Sequence, residues 1–321
     1  MKILIINDNY LGYGSILRNA LTKIGYTCEL FEFDERGLIN KILSAQNSKK
    51  ITDLTMSHIT RNNYTHVILM LGKNHWNTEA LNNLSTNIYL YLYDDLSKYS
   101  DTSFLRHCNK LFTFNKKDAH QLQNNGYDAT FLPLFYDDQT YHRVSIQKKT
   151  DIVFIGSTAG KNYKLRREIL RKLIFYKNIS SEIYNGTDGL SIKLLRSFFD
   201  LQLSIKQLKP ISLNHQQICN IYHKSKFILN INADNQSSSV PMRIYEALAS
   251  NGQVINIYKK GEHLDRSLYP KSVTHLTVEA FFMQLNSLSF SFVDLDSSDI
   301  KCHSSTRRAE ELAKLLCDEK D

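Results

Sequence analysis

Short apolar runs recur along the chain, and between them apolar residues return every three or four positions. KILII (2–6), TCELFEF (27–33), HVILML (66–71), NIYLYLY (87–93), KLFTF (110–114) and ATFLPL (129–134) have the length and side chains of strands. Ile16, Leu17, Ala20, Leu21 and Ile24 share one helical face, which predicts a helix over 15–25 that Gly25 ends. Residues 36–60 read as one or two helices, and 116–125 as another. Strands that alternate with helices imply βαβ units and a parallel sheet.

The polar stretch YDDQTYHRVSIQKKT (136–150) reads as a linker, after which the pattern restarts. DIVFIG (151–156), SEIYNG (181–186), KFILNIN (226–232), QVINIY (253–258) and SVTHLT (272–277) predict a second sheet. Helices are expected over 161–176, over 241–250 with Pro241 in the first turn, and over 304–316 with Ser304 or Ser305 as cap. The expected domains are two Rossmann-like halves, 1–147 and 148–302, followed by a closing helix in 303–321. GLSIKLLRSFFDLQLSIKQLKP (189–210) stands outside this beat as an apolar helical stretch carrying Lys193, Arg196, Lys206 and Lys209. Packing on its own sheet is the plain reading. Contact with a membrane surface or a lipid-linked acceptor is the alternative.

Composition narrows the class only slightly. No apolar run nears the roughly 18 residues that span a bilayer. Five scattered cysteines without a CxxC pair fit reduced thiols and a cytoplasmic protein. The net charge is +8, with 15 Lys/Arg against 14 Asp/Glu before residue 148 and 25 against 18 after it. The positive excess therefore sits in the second half, where it favours anionic partners such as nucleotide phosphates. The aromatics fall mostly in apolar strands and make no base-stacking platform with the basic residues, so nucleic acid is not expected.

Parallel α/β sheets bind ligands where strands end and helices begin, because N–H groups and the helix dipole favour phosphate there. SSSVPMRIYEALAS (237–250) is such a place. The backbone from Ser237 through Ser239, Val240 and Pro241 to Met242 lies where a diphosphate would be cradled, with Arg243 adding a charged bond. Glu246, one turn on, suits ribose hydroxyls; a surface salt bridge with Arg243 is the competing reading. FIGSTAGKNYKLRRE (154–168) offers a second loop, Gly156–Gly160, with Arg166 and Arg167 beyond it. Three residues rather than four separate the glycines, and Asn162 replaces the magnesium-binding Ser/Thr, so this is no Walker loop. Gly12-x-Gly14-x-x-Leu17, with Glu32 and Asp34 beyond, is a degraded dinucleotide fingerprint. Asp94 and Asp95 close the strand 87–93 as candidate base, metal site or acceptor contact, with Asp95 as a helix cap the plain alternative. Lys73 and His75 share that sheet edge, and the other histidines, His215 and His275 among them, are read as structural or surface.

Taken together and in order, these segments resemble the spore-maturation (CgeB-type) glycosyltransferase family of the GT-B superfamily, akin to glycosyl transferase group 1. SVPMRIYEALAS matches its signature, and the opening strand–loop–helix–strand and CHSSTRRAEELAKLL, through His303 and Arg307, match its two ends. The resemblance covers most of the chain apart from 36–60 and 189–212. It implies an α/β GT-B fold: two Rossmann-like domains facing across a cleft, the last helix crossing back to the first domain. It further implies a sugar donor, UDP-linked by preference, held by the second domain through Gly156, Ser157, Arg243 and Glu246, with Arg166 nearby. The first domain would take a glycan, lipid-linked or protein acceptor beside Asn9, Tyr10, Lys73 and Asp94. Asp8, Asp94 and Asp95 are the candidate bases. No cofactor and no essential metal are expected. Many retaining members carry a Glu eight residues before the ribose Glu; here that position is Ser238. A nucleotide-sugar isomerase and a non-catalytic binding module are the rival readings.

Overall fold

The structure is a computed structural model of the full chain. It describes residues 1–7, 12–32, 56–70, 85–99, 102–158, 161–185, 208–210, 213–232, 239–261, 264–287, 290 and 297–317. The chain divides into two compact units, Met1–Phe135 with His303–Asp321, and Tyr136–Cys302.

In the first unit, β1 (Lys2–Asn7), β2 (Thr27–Glu32), β3 (His66–Met70), β4 (Asn87–Leu92), β5 (Lys110–Thr113) and β6 (Ala129–Phe131) form one sheet in the order β2-β1-β3-β4-β5-β6. Every pairing is parallel. The inner strands are apolar at nearly every position because both faces are covered. Helix α1 (Tyr13–Lys23) starts at Gly12, whose φ of 71° is left-handed. A Cβ on Gly14 would stand 2.7 Å from the Asn7 side chain, so α1 lies on β1 only because Gly14 has none. The Gly12–Gly14 pair thus has a local reason independent of any dinucleotide. Helix α2 (Lys116–Asn124) links β5 to β6.

The second unit repeats the plan with β7 (Thr150–Ile155), β8 (Ser181–Asn185), β9 (Leu208–Pro210), β10 (Ser225–Ile231), β11 (Gln253–Tyr258) and β12 (Thr274–Thr277). The order is β12-β11-β10-β7-β8-β9, again wholly parallel. Its helices are α3 (Lys164–Ile174), α4 (His215–Lys224), α5 (Met242–Ala249), α6 (Val278–Leu285) and the short α7 (Ser297–Lys301). Phe154, Ile169, Leu170, Leu229, Ile255 and Phe281 centre its core. A Cβ on Gly252 would stand 2.2 Å from Ile228 Cδ1 and 2.9 Å from the Ala247 carbonyl, which sets the tight turn from α5 into β11.

The last helix, α8 (Ser305–Cys317), belongs to the first unit and packs on α1, where Lys23 Nζ donates to Thr306 Oγ1 at 3.3 Å. Ser304 is its cap, accepting from the Arg307 N–H at 3.1 Å. One expectation is corrected. Leu208–Pro210, read as the end of a helical stretch, is strand β9, paired to β8. Short apolar segments suit helix or strand alike, and a sheet edge decides between them. The rest of that stretch, 189–207, lies outside the described residues. Among the described residues no helix is long and apolar enough to cross a membrane.

Candidate functional site

In the second unit, β7 and β10 are neighbours, yet the chain leaves them in opposite directions: β7 leads by α3 to β8, and β10 leads by α5 to β11. A parallel sheet opens a crevice at such a reversal, beyond the carboxyl ends of the two strands. Two of the predicted segments meet there. The Arg243 guanidinium reaches back from the first turn of α5, and Nη1 donates to the Ile155 carbonyl at 3.2 Å. A Cβ on Gly156 would stand 2.8 Å from Arg243 Nη1, 3.1 Å from Phe154 Cζ and 3.5 Å from Arg166 Nη1. Two guanidinium groups therefore close on one glycine at the strand end. Like charges at such range are unfavourable unless an anion or aligned carbonyls answer them.

Arg166 has carbonyls to answer it. Its Nε and Nη2 donate to the Ile231 carbonyl at 3.0 and 2.6 Å, and Nη1 donates to the Ser157 carbonyl. The side chain is buried and stacks over the Tyr163 ring at 4.4 Å. Arg167 Nη1 donates to the Thr158 carbonyl at 2.9 Å. The two arginines expected to meet an anion thus tie the loop after β7 to the end of β10 and to α3. Arg243 is half-buried, with its head at the crevice.

Pro241 takes the cap position of α5 with φ −71° and ψ 147° and offers no side-chain hydrogen bond, so the first turn starts without a cap. Ser239, Val240 and Met242 are buried beside it. The Ser239 carbonyl accepts from the Tyr269 hydroxyl at 3.5 Å. Glu246 is 4% exposed, which removes the surface salt-bridge reading. Its Oε1 lies 3.7 Å from His215 Nδ1, and the same nitrogen lies 2.8 Å from the Tyr141 hydroxyl. Sequence reasoning missed His215 and the helix it opens. The signal was present: Asn214 and Gln217 form a capping box, an Asn-x-x-Gln spacing just before an apolar face.

In the first unit the Asp94–Asp95 pair is split. Asp94 is half-exposed just beyond β4, whereas Asp95 is 4% exposed. Asp95 Oδ1 accepts from Asn115 Nδ2 at 2.7 Å, and Asn115 Oδ1 caps α2 through the Lys117 and Asp118 N–H groups. Asp95 makes no side-chain cap of its own; the Leu96 N–H goes to Asp118 Oδ2 at 2.7 Å. Burial pushes the Asp118 carboxyl up, the Leu96 N–H pulls it down, and neighbouring Asp95 raises it further. The capping expectation for Asp95 is thus corrected: the residue orients another residue's cap. β1 and β3 end side by side at Asn7 and Met70. Asp8, Asn9, Tyr10 and Lys73, which follow them, lie outside the described residues. Among the described residues no three His, Cys, Asp or Glu side chains gather as a metal site.

No family model matches the chain, and no curated protein is similar to it in sequence. Solved structures are similar in fold along its whole length. The Anabaena protein HepE in complex with UDP-glucose superposes with a TM-score of 0.67 at 10% identity, over 99% of this chain and 100% of that one. The lipopolysaccharide outer core galactosyltransferase WaaB gives 0.60 at 13%, over 99% and 100%. A putative UDP-N-acetylglucosamine 2-epimerase from Listeria monocytogenes gives 0.60 at 12%, over 100% and 98%. The chain therefore has the GT-B type of fold: two Rossmann-like parallel sheets, with the carboxy-terminal helix returned to the first unit.

Proposed function

We propose that the chain is a glycosyltransferase that moves a sugar from a nucleoside-diphosphate sugar, a UDP-sugar by preference, to a hydroxyl of a glycan, lipid-linked or protein acceptor. Synthesis of a bacterial surface polysaccharide or glycoconjugate is the expected setting. The observation that carries this reading is the meeting of Arg243 with Gly156 where β7 ends and α5 begins. It lies in a fold shared with a protein solved with UDP-glucose.

In this reading the second unit holds the donor. The diphosphate lies against Gly156 and Ser157 and against the N–H groups of Ser239, Val240 and Met242, with Arg243 as its charged partner. Glu246 takes the ribose hydroxyls. Arg166 acts at one remove by fixing the Ser157 loop. The first unit takes the acceptor beside Asp94, Asn9, Tyr10 and Lys73. The acceptor oxygen bonds to the anomeric carbon as the bond from that carbon to the diphosphate breaks. The electron pair of that bond leaves with the diphosphate, and the acceptor proton passes to a base, for which Asp94 is the candidate alongside Asp8. Because negative charge grows on the departing diphosphate, Arg243 stabilises the transition state more than the bound donor. Incubation with UDP-sugars and a panel of acceptors tests this: transfer supports it, and UDP-sugar left intact with every acceptor contradicts it.

The likeness to the Listeria protein described as a putative 2-epimerase keeps a second reading in view, an isomerase that converts the nucleotide sugar with no acceptor present. Product analysis separates the two, since an epimer of the donor forms in one case and free UDP in the other. UDP binding without either product marks a non-catalytic module.

A further inference from the structure

Three polar residues stand at matched positions in neighbouring strands of the second unit. Asn230 of β10 pairs in register with Asn256 of β11, and Asn256 with His275 of β12. Both asparagines are fully buried. Side chains at paired positions of parallel strands share a face, so the three form a row across the sheet. Asn230 Nδ2 donates to Asn256 Oδ1 at 2.6 Å, and Asn256 Nδ2 lies 3.2 Å from His275 Nδ1. Asn230 Nδ2 also donates to Asn232 Oδ1 at 2.8 Å. From there Asn232 Nδ2 donates to the Tyr269 hydroxyl at 3.3 Å, and that hydroxyl donates to the Ser239 carbonyl.

The directions of these bonds are not free. A carbonyl only accepts, so Tyr269 must donate to Ser239 and take its own hydrogen bond from the Asn232 amide nitrogen. Asn232 then offers its oxygen to Asn230. At the other end His275 Nδ1 accepts from Asn256, which offers its oxygen to Asn230. Both arms end on acceptors, and one amide between them, Asn230, has to donate twice. A proton on His275 Nδ1 would set donor against donor and force Asn256 to turn. The site opposes that proton: burial, then the nearby Arg266 guanidinium, hold the His275 imidazolium pKa down to about 4. The Tyr269 ring packs edge-on at 4.8 Å, and Arg266 is itself held by the Tyr258 hydroxyl.

We infer that Asn230, Asn256 and His275, continued through Asn232 and Tyr269, are a positioning relay that sets the Ser239–Arg243 segment from as far as the edge strand β12. Buried amides in a parallel sheet contribute little net stability over apolar residues of similar size. What they add is direction. The relay ends on the backbone of the segment that starts α5, two residues before its cap Pro241 and four before Arg243. Its role in ligand binding rests on the donor site proposed above. Its role in fixing the segment does not.

Two variants test it, with UDP as the probe. Tyr269→Phe removes one hydroxyl and keeps the ring. The relay predicts a UDP Kd raised at least tenfold by calorimetry, together with moved amide resonances of Val240, Met242 and Arg243 in a 15N-correlation spectrum. If UDP affinity and those resonances both match the wild type while only the melting point falls, Tyr269 is merely structural and the relay is overturned. If the wild type fails to bind UDP, the donor reading fails; moved resonances then still support the relay, and unmoved ones overturn it. Asn256→Asp replaces the donor to His275 by an acceptor. Imidazole 15N shifts should then show His275 titrating between pH 5 and 8 instead of near 4, and an unchanged titration overturns the His275 arm.

Discussion

Arg243 Nη1 donates to the backbone carbonyl of Ile155 at 3.2 Å, which joins the first turn of α5 to the last residue of β7. The side chain bridges the place where the sheet order reverses. Among the described residues it makes one hydrogen bond there, and a guanidinium carries five donors in a planar fork. The spare donors are what a diphosphate would use. Arg243→Ala is expected to lower turnover by about two orders of magnitude. Arg243→Lys keeps the charge but not the fork, and should recover only part of the loss. Steady-state transfer assays on both variants check this; near wild-type turnover in the alanine variant removes Arg243 from the mechanism.

Gly156 bears on the same grip from the other side. Its Cβ in Gly156→Ala would stand 2.8 Å from Arg243 Nη1 and 3.1 Å from the Phe154 ring. Phe154 is in the core and cannot retreat far, whereas the arginine tip can swing. The expected outcome is a stability loss of about 1 kcal/mol with a larger effect on ligand, UDP affinity falling at least tenfold. Denaturant melts and calorimetry, run together, separate the two.

The two adjacent aspartates should behave differently. Asp95 orients the Asn115 cap of α2, so Asp95→Ala is expected to cost about 1–2 kcal/mol and leave any turnover of the folded protein intact. Asp94 faces partly outward, and as candidate base Asp94→Asn should lower turnover by about two to four orders of magnitude with little change in melting point. Urea titrations and kcat measurements on the pair distinguish them. The reverse pattern would assign the chemistry to Asp95.

Two half-buried histidines predict an acid limit to stability. Burial first, then the Arg308 charge, hold His303 down to about 4; burial and Arg266 do the same for His275. In the unfolded chain both take a proton near 6.5, so the unfolded state binds more protons between those values. Stability should be full above about pH 6.5 and fall as the pH drops towards 4. Each histidine would account for on the order of 1–2 kcal/mol once solvent screening is allowed for. Urea midpoints across that range measure the slope. His303→Gln should flatten part of it, and an unchanged slope contradicts the assignment.

Much of the fold is readable in the sequence because buried parallel strands are unbroken apolar runs. The runs at 2–6, 66–71, 87–93 and 253–258 give strands β1, β3, β4 and β11 nearly to the residue. Helices α4 and α6 were missed, as they are short and their apolar faces are interrupted by His, Cys and Gln. The strand β9 was hidden in a run that suits either element. Gly156, Arg166 and Arg243 were legible as residues near anion chemistry, but not their division of labour. Spacing cannot say that the Arg166 head turns inward to the Ile231 carbonyl while Arg243 stays at the crevice. Nor does a single strand reveal that Asn230, Asn256 and His275 share a register, since that alignment exists only between strands.

The most direct test is a crystal structure of the protein grown with UDP. The account predicts the diphosphate at the carboxyl ends of β7 and β10, within hydrogen-bond distance of the Arg243 guanidinium and the first N–H groups of α5. UDP bound elsewhere, with that strand edge filled by side chains, would contradict it.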